Sequence, residues 1–144
     1  MEVFTIGYTQ KSAEKFFGLI KSNMIDALID VRLYNSTQLA GFSKSRDLQY
    51  FLEALCDCKY VWAKQFAPSP TLLDNYKKGY IDWPEYESTY NELLYKRDEL
   101  NFFQVCENKR ICLLCAEATP EYCHRRLLAE KIAETFENVT ITHI

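Results

Sequence analysis

The alternation of short apolar runs with helical periods constrains this chain more than any other feature of its sequence. Five runs are predicted to be strands. Several of them are apolar along almost their whole length, which is typical of strands covered on both faces. The predicted strands are Val3–Gly7, Ala27–Val31, Lys59–Ala63, Ile111–Cys115 and Val139–Ile144.

Between these strands, apolar residues recur three and four positions apart, which predicts amphipathic helices. The clearest periods are Ala13, Phe16, Phe17 and Ile20; Leu48, Phe51, Leu52 and Leu55; Tyr86, Tyr90, Leu93 and Leu94; and Leu128, Ile132 and Phe136. The alternation predicts an α/β fold, with a mostly parallel central sheet of about five strands and helices on both faces, in a Rossmann-like three-layer arrangement. A chain of 144 residues has the size of one domain, so we expect a single domain over 1–144.

Composition and charge exclude several classes of function. The formal net charge of −3 disfavours a broad nucleic-acid-binding face, although a local basic patch stays open. The longest apolar runs are far shorter than a membrane span, and no signal segment is apparent at the start of the sequence. We therefore expect a cytoplasmic protein without membrane contact, and its six cysteines are expected to be reduced.

Polar side chains follow three of the predicted strands. Tyr8 follows the first strand, Asp30 and Arg32 lie at the end of the second, and Cys115 and Glu117 lie at the end of the fourth. In open α/β sheets, ligands bind in the crevice beyond the carboxyl ends of the strands. We therefore expect these side chains to converge at one edge of the sheet.

The stretch "LLCAEATPEYCHRR" carries the densest cluster of reactive side chains. A helix is predicted to begin at "TPEY" with Thr119 as its cap, which places Cys123, His124 and Arg125 in its second turn. A helix N-terminus beside an arginine favours anions and lowers the pKa of a neighbouring thiol. Cys123 is therefore predicted to have more thiolate character than Cys115.

Five segments together resemble a known family. They read "FTIGYT", "LIDVR", "GFSK", "FAPSPTLLDNYKKGYIDWPEYESTY" and "LLCAEATPEYCHRRLLAE". This series is similar to the bacterial and archaeal α/β proteins catalogued as domain of unknown function 488, from Phe4 to about Glu130. The resemblance implies an α/β fold and no settled activity. Carried onto this sequence, the characteristic polar positions of the family are Tyr8, Asp30, Arg32, Lys44, Cys115, Glu117, Cys123, His124 and Arg125.

Two functional hypotheses of different class follow. In the first, the chain is a small enzyme acting on an anionic, nucleotide-like substrate. In the second, it is a non-catalytic module that binds a ligand or nucleic acid in the same crevice. The catalytic candidates are Cys115, Glu117, Cys123 and His124, and the substrate-binding candidates are Tyr8, Asp30, Arg32, Lys44 and Arg125.

A weaker similarity to rhodaneses adds sulfur transfer as a further alternative. It rests on "LIDVR" and on a strand that ends in a cysteine. In rhodaneses and cysteine-dependent phosphatases, a tight loop with cysteine and arginine six positions apart cradles the anion. Here Arg125 follows Cys115 by ten positions, with Pro120 and no glycine between them, so that cradle is not expected.

Metal binding is the remaining interpretation of the cluster in "LLCAEATPEYCHRR". Cys115, Cys123 and His124 are zinc donors by type, and Glu117 adds an oxygen. Neighbouring residues on a helix point about 100° apart, however, and the chain has no Cys-x-x-Cys pair. The sequence therefore predicts no metal and no cofactor.

Some of these residues also have ordinary structural explanations. Asp30 and Arg32 are able to neutralise each other in the core, without any ligand. The aromatic, partly basic segment 65–90 is predicted to be a helical insertion that covers the crevice and packs its rings against the sheet. Stacking of those rings on bases beside Lys77 and Lys78 is the alternative for this segment.

Overall fold

A computed structural model describes residues 1–36 and 41–144. Its sheet has five strands in the order β3-β2-β4-β1-β5, and every neighbouring pair is parallel. The strands are β1 (Glu2–Gly7), β2 (Ala27–Asp30), β3 (Lys59–Trp62), β4 (Arg110–Cys115) and β5 (Thr140–His143). The predicted α/β fold with one parallel sheet in a single domain is confirmed.

Helices cover both faces of this sheet. The α-helices are α1 (Ala13–Ser22), α2 (Ser45–Cys56), α3 (Pro70–Lys77), α4 (Trp83–Arg97) and α5 (His124–Thr135), and short 3-10 helices span Gly41–Ser43, Lys64–Phe66 and Leu100–Cys106. Successive residues of β1 point into different cores, because side chains alternate along a strand. Phe4 packs with residues of α1 and α2, whereas Val3 packs with residues of α3, α4 and α5.

Local chemistry explains where most of the helices begin. The side chains of Ser12, Ser69 and Asp82 each accept a hydrogen bond from a backbone amide in the first turn of α1, α3 and α4. Such caps satisfy amides that have no partner within the helix. None of the helices within residues 1–36 and 41–144 has the length and apolar content that crossing a bilayer requires.

The predicted start of the last helix at "TPEY" is wrong. That segment forms a turn, closed where the amide of Cys123 donates to the carbonyl of Pro120 at 3.2 Å. Cys123 is the residue before the helix, with an extended backbone at φ −139° and ψ 135°, and α5 begins at His124. The two adjacent side chains therefore do not follow the angular spacing of a helix.

The strand order creates a crevice beyond the carboxyl end of β4. The chain leaves β1 and β2 toward the helices of one face, whereas it leaves β4 toward α5 on the other face. Because β4 lies between β1 and β2, the three outgoing connections diverge around its end. This is the point at which open α/β sheets bind ligands.

Candidate functional site

A cleft of about 560 Å³ opens at this carboxyl edge. Six of the nine polar residues singled out in the sequence line it, namely Tyr8, Arg32, Cys115, Glu117, Cys123 and His124. The two cysteines and the histidine are buried and form its floor, whereas Glu117 is exposed on its wall. The "DVR" and "CHR" segments thus meet at one edge of the sheet.

The other three predicted residues lie outside the described lining of the cleft. Asp30 is fully buried behind Arg32, and Arg125 is buried beneath the loop that follows β4. Lys44 is the residue before α2. The first two contact residues that line the cleft, and no such contact places Lys44 at the site among the described residues.

Gly7 sets the path of the loop that carries Glu117. A Cβ atom at Gly7 would lie 1.7 Å from the backbone carbonyl oxygen of Glu117, so no larger residue fits beneath that loop. The Nη1 of Arg125 donates to the same carbonyl at 2.7 Å. The amide of Thr9 also donates to the carbonyl of Ala116 at 3.2 Å. The strand end and the loop are therefore held together by backbone contacts and one buried guanidinium.

Asp30 holds Arg32 in a fixed orientation. One oxygen of the Asp30 carboxylate accepts from Nε of Arg32 at 2.8 Å, and the other accepts from Nη2 at 2.8 Å. The hydroxyl of Tyr60 donates to Asp30 at 2.6 Å, and the carbonyl of Ser43 accepts from Nη2 of Arg32 at 2.8 Å. Burial and the neighbouring carboxylate raise the pKa of Tyr60, so the phenol keeps its proton. Asp30 and Arg32 thus neutralise each other, which is the structural explanation that the sequence offered for this pair.

The remaining guanidinium nitrogen of Arg32 has no such partner. Its Nη1 is buried and makes no hydrogen bond to any residue within 1–36 and 41–144. The ring of Tyr8 stacks on the same guanidinium, with Cζ 5.4 Å from the ring centroid. A buried donor without an acceptor is costly, typically about 1–3 kcal/mol. Arg32, which lines the cleft, thus carries a buried donor that no described residue satisfies.

The ring of His124 joins the segments that follow β2 and β4. Its Nε2 lies 2.8 Å from the carbonyl oxygen of Val31, and its Nδ1 lies 3.6 Å from Sγ of Cys115. Because a carbonyl only accepts hydrogen bonds, Nε2 must carry a proton. Nδ1 is therefore the nitrogen that faces the sulfur.

The pKa values of the two thiols are shifted in opposite directions. A hydrogen bond from Cys123, together with the positive charges of His124 and Arg125, lowers the pKa of Cys115 despite its burial. Burial raises the pKa of Cys123, and its bond to Cys115 adds to that effect. Burial alone would lower the pKa of His124, but the neighbouring Cys115 outweighs it and the pKa is raised. The prediction that Cys123 has more thiolate character than Cys115 is wrong, because the buried Cys123 keeps its proton and donates a hydrogen bond to Cys115.

Arg125 makes the surroundings of these thiols positive. The side chain is 1% exposed, and no carboxylate lies within 4 Å of it among the described residues. Its Nη1 donates to a neutral carbonyl, which leaves its charge unbalanced. Buried charges require a partner of opposite sign. An anionic sulfur or a bound anion would meet that requirement here.

Three possible metal ligands converge on the floor of the cleft. The Sγ atoms of Cys115 and Cys123 and a ring nitrogen of His124 all lie within 4.8 Å of one another. The angular spacing that separates neighbouring helical side chains does not apply to Cys123 and His124, because Cys123 precedes α5 with an extended backbone.

The aromatic segment 65–90 packs as predicted and also reaches the cleft. Trp83 stacks on Tyr86 with ring centroids 5.0 Å apart, and both Tyr86 and Tyr90 are buried against the sheet. Tyr76 and Lys77, at the end of α3, line the cleft. The insertion therefore serves as one wall of the cleft.

The sequence analysis missed Gly7 and Tyr60 as residues that shape the site. A glycine at the end of a strand, directly before "YT", was the available signal for a close backbone approach. Tyr60 lies within an apolar-looking strand, and nothing in that run indicates that its hydroxyl reaches Asp30 on the neighbouring strand.

Comparison with known proteins gives one result. No curated protein and no solved structure matches the chain significantly. One family model, described as domain of unknown function DUF488, matches residues 12–132, which is most of the chain. Because this model covers more than half of the residues, the chain belongs to the DUF488 family.

Proposed function

We propose that this protein is a small enzyme acting on an anionic, nucleotide-like substrate that binds in the cleft at the carboxyl edge of the sheet. The observation that carries the proposal is the buried Nη1 of Arg32, which has no partner among residues 1–36 and 41–144, on a residue that lines a cleft whose floor is formed by Cys115, Cys123 and His124. An oxygen of a bound anion would accept from that nitrogen and remove the cost of leaving it buried and unsatisfied.

Arg32 and Arg125 contribute to anion binding in different ways. The charge of Arg32 is offset by Asp30, which also fixes its orientation, so Arg32 supplies a directed donor. Arg125 supplies the excess positive charge beneath the floor. Lys77 adds a cation among the lining residues. These three cations outnumber the one carboxylate among the described residues that line the cleft, that of Glu117, so the local field favours an anion.

The aromatic lining favours a substrate with a planar ring. Tyr8, Tyr34, Tyr76, Tyr86 and Tyr122 all line the cleft. Aromatic side chains stack on nucleobases with about 1–3 kcal/mol per base. A volume of about 560 Å³ lies in the range of small-molecule sites. The net charge of −3 makes a single nucleotide a better substrate than a long polynucleotide.

Reactive groups on the floor favour an enzyme over a binding module. A module would need only the arginines and the aromatic lining, whereas this floor places sulfur, imidazole and the exposed carboxylate of Glu117 around one cleft. Sulfur transfer of the rhodanese type is supported less. Arg125 donates to the carbonyl of Glu117, and the loop after Cys115 has no glycine with which to wrap an anion.

Equilibrium binding to the full chain tests the proposal. Nucleoside monophosphates and inorganic phosphate are titrated by calorimetry at low and moderate salt, with Arg32→Lys as the site variant. Lysine keeps the charge beside Asp30 but lacks Nη1, so we expect binding to weaken roughly 10- to 150-fold, the equivalent of one charged hydrogen bond. Arg110→Lys, at the opposite edge of the sheet, is the matched control and should bind like the unaltered chain.

Product analysis separates the two classes of function. The bound ligands are incubated with the protein and then separated by chromatography. Conversion of one ligand would support the enzyme, and binding without conversion of any would favour the non-catalytic module. The absence of any salt-sensitive binding, or equal binding by Arg32→Lys, would overturn the proposed site.

A further inference from the structure

We propose that Cys115, Cys123 and His124 bind a zinc ion whose remaining coordination position faces the cleft. The inference rests on the proposed function and deepens it, because it names the group that would perform the chemistry. It assigns the two sulfurs a role as ligands rather than as nucleophiles.

Distances within the cluster fit zinc. A tetrahedral zinc ion, with bonds of about 2.3 Å to sulfur and about 2.05 Å to nitrogen, holds those two ligand atoms about 3.6 Å apart. The observed distance from Sγ of Cys115 to Nδ1 of His124 is 3.6 Å. Sγ of Cys123 completes a triangle whose ligand atoms all lie within 4.8 Å of one another.

The second ring nitrogen of His124 provides an independent argument. Metal-binding histidines almost always donate their other N–H to a carbonyl, a carboxylate or water, which fixes the ring and its tautomer. Here Nε2 donates to the carbonyl of Val31 at 2.8 Å. When the ring is neutral, as in a metal-bound histidine, the lone pair of Nδ1 points toward the sulfur of Cys115, which is the orientation that a ligand requires.

The chemical type of these three ligands favours zinc over other divalent metals. Two sulfurs and one imidazole suit zinc and are poor ligands for magnesium or calcium, which prefer oxygen. Two thiolates neutralise a divalent zinc ion, so the positive charge of Arg125 beneath the floor remains available to a bound anion. A site with three protein ligands that lines a cleft resembles catalytic zinc sites, which keep one position for water or substrate.

The open position defines the class of reaction. A zinc ion held by these three ligands would supply a water whose pKa is lowered to about 7. The exposed carboxylate of Glu117, on the wall of the same cleft, would accept a proton from that water and pass it to the leaving group, while the hydroxyl group is added to the electrophilic centre of the bound anion. The reaction would be a hydrolysis, in which water supplies both the hydroxyl group and the proton.

Metal analysis of the full chain tests the inference. The protein is purified without chelator and its metals are measured by mass spectrometry. Metal-free protein is then titrated with zinc chloride in competition with a chromophoric chelator. We expect one zinc per chain, and cobalt substitution should give sulfur-to-cobalt charge-transfer absorption together with the intense visible bands of a four-coordinate site.

Ligand variants make the test specific. Cys123→Ser and His124→Gln should each weaken zinc binding by more than about 100-fold, the upper end of what outer-shell changes cause. Cys56→Ser is the control, because Cys56 contacts the carbonyl of Phe17 on the other face of the sheet. Circular dichroism establishes that each variant is folded before its binding is measured.

Thiol counting gives a readout that needs no variant. Zinc should protect two of the six cysteines from a disulfide reagent, and peptide mapping should identify them as Cys115 and Cys123. Folded, metal-free protein that takes up no zinc would overturn the inference, as would a Cys56→Ser variant that loses zinc as strongly as Cys123→Ser. That failure is separate from failure of the proposed function, which is measured by anion binding at Arg32.

Discussion

Replacement of Asp30 by alanine should be among the most destabilising single changes in this protein. The carboxylate is fully buried and accepts hydrogen bonds from the side chain and the amide of Arg32 and from the hydroxyl of Tyr60. Alanine would leave a guanidinium that is 3% exposed without its counter-charge. Removing one partner of a buried ion pair costs about 3–5 kcal/mol.

Urea denaturation near neutral pH measures this cost as a decrease in the free energy of unfolding. In thermal denaturation of a domain of this size, a loss of about 3–5 kcal/mol lowers the melting temperature by roughly 10–20 °C. Glu2→Ala is the matched control, because Glu2 pairs with Arg110 at 3.3 Å on the surface and should cost about 1 kcal/mol or less. The double variant Asp30→Ala, Arg32→Met should recover part of the loss, because it also removes the unpaired charge.

The double variant shows whether the reasoning is right. If Asp30→Ala costs no more than Glu2→Ala, the buried pair contributes little and Arg32 is held by other contacts. If the double variant is as unstable as the sum of its single changes, the loss comes from packing and not from an unpaired charge. Either result would refute the argument that Asp30 orients and neutralises Arg32.

Three further predictions concern other residues. Gly7→Ala should lower the free energy of unfolding by more than about 3 kcal/mol in urea denaturation, since its Cβ would overlap the carbonyl of the overlying loop. Gly18→Ala in α1 is the control, because its Cβ meets nothing within 4 Å, and it should change stability by less than about 1 kcal/mol. Burial raises the pKa of Tyr90 well above its unfolded value of about 10. The stability that the protonated phenol contributes is therefore present below pH 10 and is lost as the pH rises further. Tyr90→Phe should reduce that alkaline loss in denaturation curves. In zinc-free protein, iodoacetamide should modify Cys115 before Cys123, as read by peptide mass spectrometry, and the reverse order would contradict the assigned direction of the two pKa shifts.

Strand positions were predictable because burial on both faces demands nearly continuous apolar runs. The predicted run 111–115 and the observed β4 differ by one residue, and the predicted run 27–31 extends one residue beyond β2. The carboxyl-edge location of the site followed from the same pattern, since parallel strands bring their ends to one edge. These features depend on signals carried within each segment.

The start of α5 was not predictable in the same way. The letters "TPEY" carry a cap, a proline and an acidic residue, which together favour a helix start. Contacts distant in sequence override that preference, because His124 bonds to Val31, 93 positions earlier, and faces Cys115 on β4. The hydroxyl of Tyr60 donates to Asp30, 30 positions earlier in the sequence, and no local pattern predicts that bond.

Cys123 occupies the cap position before α5 but does not cap the helix, so helix formation alone does not account for a cysteine there. Serine, threonine, aspartate and asparagine are the usual residues at this position, because their oxygen bonds to an amide of the first turn, and losing such a cap costs about 1 kcal/mol. Cys123 provides no such side-chain cap within the described chain, and its sulfur instead lies beside Cys115 and His124. Serine at this position would improve the cap while removing a proposed zinc ligand. A Cys123→Ser variant that stays as stable as the unaltered, zinc-free chain but no longer binds zinc would therefore show that this position serves the cleft and not the helix.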